Sequence, residues 1–144
     1  MEQKIIAPDD EDIEHIANML ILAENLAKDV INERLDHSLN DLERLQRILD
    51  SGSIQPEATV PLQALGLVFG KMFVENNEDY DWWIVEDEYG RDPCIRYKET
   101  TLMIFPQTVI SKRIEEGEDC DISDMYHGLL ESLEEIRFEH YEGE

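Results

Sequence analysis

An α+β fold is predicted, with N-terminal helices packed against a small three-stranded antiparallel sheet and C-terminal helices in the order ααα-βββ-αα. Two changes of hydrophobic period predict it. Up to Asn76 apolar residues recur at helical spacing, from Tyr80 to Phe105 they alternate, and from Val109 onward the helical spacing returns. A third observation sets the strand direction: links as short as Lys98-Glu99 cannot make the crossover that parallel pairing needs.

The first helix starts at Pro8-Asp9-Asp10, where acids in the first turn complement the N-terminal dipole. Ile13, Ile16, Ala17, Leu20, Ala23, Ala27, Val30 and Ile31 follow the i, i+3, i+4 rule. Met19, Leu22 and Leu26 broaden that stripe, so burial on more than one side is expected, with an end near Leu35. Ser38 is the expected N-cap of the second helix, with Asp41 three residues on and Leu39, Leu42, Leu45, Ile48 and Leu49 as its apolar face. Asp50-Ser51-Gly52-Ser53 ends it in a turn. A third helix begins at Thr59 or Val60, with Pro61 at an early position that needs no donor. Gly66 and Gly70 lie one turn apart on it and leave a flat strip for close packing; a phosphate loop would need a lysine and a Ser/Thr after a strand.

Tyr80, Trp82 and Ile84 alternate with Asp81, Trp83 and Val85, as on a strand. Tyr89-Gly90-Arg91-Asp92-Pro93 reads as a turn, Cys94 to Tyr97 and Thr100 to Phe105 as two further strands, and Pro106 as the end of the last. Val109 to Glu116 gives a short helix ending at Gly117. Ser123 is the expected cap of a final helix through Met125, Leu129, Leu130, Leu133 and Ile136.

The 144 residues carry 35 acids against 12 bases, a formal net charge of −23, and are 42% hydrophobic. One domain over 1–144 is expected, comprising a helical pair at 1–53 and an α-βββ-αα part at 54–144. Nucleic-acid binding through phosphates is excluded at this charge, because it depends on cations displacing counterions. An anionic membrane surface is disfavoured likewise. The start of the sequence lacks the order of a secretory signal, and the most apolar stretch, Ile16 to Ala23, falls far short of a span. Cys94 and Cys120 form no CxxC pair and read as reduced thiols, so a cytoplasmic location is expected. Cys120 lies between Asp119 and Asp121, which disfavours its thiolate. His15, His37, His127 and His140 show no metal-ligand spacing, and no cofactor motif is present.

The segment from Trp82 to Pro93 packs two tryptophans, four acids and an arginine around one hairpin. Here the sequence resembles an uncharacterised bacterial family, a domain of unknown function found in small cytoplasmic proteins. The resemblance rests on Leu62-Gln63-Ala64-Leu65-Gly66 with Phe69-Gly70, on Val85 through Pro93, and on Phe105-Pro106 leading to Ile110-Ser111-Lys112-Arg113. It covers roughly Leu62 to Ile136, and it implies no particular activity.

Trp82, Glu86, Asp87, Glu88, Tyr89, Arg91 and Asp92 are the candidate interaction surface, since tryptophan, tyrosine and arginine anchor interfaces most often. Arg91 and Arg96 are expected to pair with the neighbouring acids and hold the turn. The alternative is a metal-dependent enzyme or a hard-cation site built from Glu86, Glu88 and Asp92. Acids cluster at Asp9–Glu14, Glu75–Asp92 and Glu115–Glu144, the last recurring at helical spacing with Arg137 as its one base. Charge of this density repels itself, so a basic protein partner is the expected reason for it. The leading expectation is a non-catalytic, immunity-type or antitoxin-like inhibitor of a basic bacterial toxin. A DNA-mimic protein is a third reading.

Overall fold

A computed structural model describes residues 2–140. It has the α+β architecture and contains β1 (Lys4–Ile6), α1 (Asp10–Ile31), α2 (Asp41–Asp50), α3 (Thr59–Asn76), β2 (Tyr80–Asp87), β3 (Gly90–Tyr97), β4 (Met103–Ile104), α4 (Pro106–Glu115) and α5 (Ile122–His140). The sheet is antiparallel in the order β1-β2-β3-β4. Three strands answer the sequence expectation, but the last shrinks from Thr100–Phe105 to Met103–Ile104, and α4 starts at Pro106 rather than Val109, with Phe105 as its N-cap. The fourth, β1, is an addition: Ile5 pairs with Val85 and Ile6 with Ile84. Three residues before a helix are too short for an alternation to show.

The helix ends differ from expectation for local reasons. α1 stops at Ile31 rather than near Leu35, because Asn32 turns left-handed (φ 54°, ψ 41°) and Glu33 N–H reaches back to Ala27 O. Leu35 then folds into the core. Asp9 caps α1 in a reciprocal box: its side chain accepts from Asp12 N–H, and the Asp12 side chain accepts from Asp9 N–H. Ser38 does not cap α2. Its N–H and hydroxyl donate to Asp36 and its Oγ accepts Asn40 N–H in the turn before the helix, and α2 begins three residues later. Asp41, wholly buried, instead accepts from the backbone N–H groups of Asp36 and His37 and from Arg44. Asp121, not Ser123, caps α5 by accepting from Asp124 N–H.

α3 is the central helix and carries ten of the buried side chains or glycines. An added Cβ at Gly66 would lie 2.2 Å from Pro106 O, and one at Gly70 would lie 2.7 Å from the Pro106 ring and 2.8 Å from Trp82 Cη2. The flat strip therefore receives the start of α4, with Pro106 in its first turn. An aromatic chain runs from α3 to the sheet and α5: Phe73 meets Tyr80 edge-on at 5.1 Å, Tyr80 meets Tyr97 at 5.3 Å, and Tyr126 packs on Phe69 and Phe73. Arg137 completes it, lying 4.4 Å over the Tyr97 ring.

Candidate functional site

The β2–β3 hairpin closes on the two residues Glu88 and Tyr89, since Asp87 pairs with Gly90. The expected turn at Tyr89–Pro93 is thus mostly strand. Pro93 pairs with Ile84. It is tolerated there because β4 lies against β3 only at Ile95 and Arg96, leaving the earlier stretch of β3 as an edge.

Alternation sends the hairpin acids to different surroundings. Glu86 stands opposite Arg91 on the face that carries Trp82 and Ile84. Arg91 donates to Glu86 Oε2 at 2.5 Å, to Asp12 Oδ2 at 2.5 Å and to Asp12 Oδ1 at 3.2 Å, and reaches Asp9 Oδ2 at 3.4 Å. It therefore bolts the hairpin to the capping box of α1. The Arg91 guanidinium holds the Asp12 carboxyl below the usual carboxylate range, with the Asp9 N–H helping and partial burial opposing. Trp82, half-buried, packs against the Gly70 strip.

Asp92 pairs with Val85 and so points to the opposite face from Glu86. Glu86 and Asp92 therefore do not share a face on which a cation could join them. Among the described residues, no group of three or more His, Cys, Asp or Glu is arranged to hold a metal. Arg96 departs from expectation as well. It donates to the Thr100 and Glu99 carbonyl oxygens and stacks 4.6 Å from the Trp83 ring, so it holds the β3–β4 link. Asp87, Glu88, Tyr89 and Asp92 remain at the exposed end. Tyr89 is 90% exposed, and Asp87 Oδ1 accepts its N–H at 2.8 Å. Among the described residues, no cation pairs with Asp87, Glu88 or Asp92.

A second acidic surface was not singled out in the sequence. A cleft of about 990 Å³ between α2 and the start of α5 is lined by Glu43, Asp50, Asp119, Asp121 and Asp124, with Cys120 and His127. Gln46 fastens its walls, donating to Cys120 O at 3.1 Å and accepting Ile122 N–H at 2.8 Å. The contributing acids come from segments some 70 residues apart, and no local spacing signals their meeting. The acidic face of α5 is as expected: Glu131, Glu134, Glu135 and Glu139 are all exposed. Glu142 and Glu144 lie outside the described residues.

The thiols are poor nucleophiles. Burial pushes Cys94 up to about 11. Burial also raises Cys120, where Asp121 and Asp50 add to the shift and Arg113 opposes it. Desolvation, rather than the flanking acids alone, is the larger cause. No helix among the described residues is long and apolar enough to cross a membrane.

Residues 41–126 match the family described as a domain of unknown function (DUF3806). The chain belongs to that family. The match begins earlier than the quoted motifs, since it includes α2, and it ends at Tyr126 within α5. A solved protein from Bacteroides thetaiotaomicron VPI-5482 is similar over 90% of this chain, at 20% identity and a TM-score of 0.84. That likeness is one of fold. This chain spans 48% of the length of that structure. No curated protein matches the sequence.

Proposed function

We propose that this member of the DUF3806 family is a non-catalytic acidic protein-binding module, an immunity-type or antitoxin-like inhibitor of a basic bacterial protein in the cytoplasm. The observation that carries the reading is the hairpin end. A tyrosine 90% exposed sits among three carboxylates that have no cation of their own among the described residues. An exposed aromatic ring costs little conformational entropy to bury, and unpaired acids around it select a cationic partner. The Arg91 bolt holds that end in place, so little ordering is left to be done on binding. The net charge of −23 speeds the encounter with a basic surface. The buried, poorly acidic Cys94 thiol and the tying of Glu86 to Arg91 favour this reading over catalysis at the hairpin.

The test is capture of a basic protein from the native extract at low and physiological salt, followed by calorimetry on the protein captured; recovery of no basic protein at either salt would overturn the reading. Tyr89→Ala is expected to weaken binding by about tenfold or more, the loss typical of a central aromatic anchor. Added salt is expected to weaken binding. Tight binding that is indifferent to Tyr89→Ala and to salt would overturn the reading.

A further inference from the structure

The apolar stripe of α1 is not fully covered. Met19, Ala23 and Ala27 are buried, yet Ile13 is 56% and Ile21 58% exposed, and Ala17 between them is exposed too. Ile13, Ala17 and Ile21 stand at i, i+4 and i+8, which makes them one ridge of the helix surface. Beside this ridge lies a pocket of about 250 Å³ walled by Pro8, Ile13, Ile16, Leu20 and Trp82. Single exposed isoleucines are ordinary, but a ridge flanking an apolar pocket is what a helix-binding groove offers.

The charge around it says what fits. Asp10 and Glu14 are exposed and Glu24 is half-buried, at helical positions that flank the ridge. Lys71, at the pocket, is already paired with Glu75 at 3.3 Å. A second copy of this chain would bring its own Asp10, Glu14 and Glu24 against these, with −23 on each side, and like charges across an interface are costly. We propose that the α1 ridge and the Trp82 pocket form a docking site for an amphipathic helix of a partner protein, apolar on one face and flanked by lysine or arginine. The site rests on the reading that the chain binds a basic protein, and adds to the hairpin a separate contact of different chemistry.

The probes are two peptides: a helical peptide with leucine on one face and lysine on the other, and its counterpart with every leucine replaced by glutamine. Amide shifts of the isotope-labelled chain give the contact surface, and fluorescence anisotropy gives affinity. The leucine–lysine peptide is expected to shift Ile13, Ala17, Leu20, Ile21 and Trp82. An Ile13→Gln/Ile21→Gln variant is expected to weaken it by about tenfold or more, with an unchanged melting temperature because both positions are exposed. Tyr89→Ala should leave it unaffected. If the two peptides bind equally, or the variant binds as tightly as the parent, the docking site is overturned while the basic-partner reading stands. If neither binds at low salt, the docking site falls, whereas the basic-partner reading falls only if its own binding test also fails.

Discussion

Gly66 offers the sharpest test at the level of one atom. Alanine there places a methyl group 2.2 Å from the Pro106 carbonyl oxygen, a backbone atom that cannot step aside without moving α4. Overpacking of this kind costs about 3 kcal/mol, which in a chain of this size lowers the melting temperature by roughly 6–12 °C. Scanning calorimetry of Gly66→Ala against Gly128→Ala, whose Cβ would meet nothing within 4 Å, checks it. Asp41 is a second such position. Its buried carboxylate satisfies two backbone N–H groups and Arg44. Asp41→Ala deprives the two N–H groups of their acceptor, while Arg44 keeps Glu33 and Asp36, so the expected cost in urea unfolding is about 2 kcal/mol. Asp41 stands at the start of α2, where its spacing from Ser38 predicts only a capping role. Two of its contacts, the Asp36 and His37 N–H groups, come from the chain before the helix, where spacing rules say nothing.

Between elements, Arg91 is the joint between α1 and the hairpin, and its effect depends on pH. The Asp12 carboxyl titrates below its ordinary value of 3.8, so its favourable pairing is complete above that pH and is lost as pH falls through the depressed folded value. The stability difference between the parent and Arg91→Ala is therefore expected to be constant above about pH 5 and to shrink below about pH 4. Denaturation midpoints across that range measure it; a gap that widens in acid would contradict the assignment. The elements themselves were largely legible, because α3 and β2 carry their periods over many residues. The glycine strip was legible too, since two glycines one turn apart need a close neighbour. Which element fills it was not, as Pro106 lies far away in sequence. β1 escaped because three residues show no period. The candidate hairpin was found by its composition, but composition cannot show that register sends Glu86 and Asp92 to opposite faces, nor that Arg91 spends its charge on Asp9 and Asp12.

For the molecule as a whole, 35 acids against 12 bases set a repulsion that added salt screens within about 10 Å at 0.1 M. Raising sodium chloride from low concentration to that level is expected to raise the melting temperature, even though the exposed Arg47–Glu33 pair is weakened by the same screening. Surface pairs of that kind are worth little, so the general repulsion decides the sign. The place of β1 bears on how such a chain comes into being. Ile5 joins Val85, and Asp9 and Asp12 wait for Arg91. On the ribosome, at roughly 5–20 residues per second, several seconds separate the emergence of those partners. During that interval α1 has no sheet to pack on, and the acids of its first turn oppose association with like chains. The strand and cap that precede α1 are thus made well before the partners that fix them.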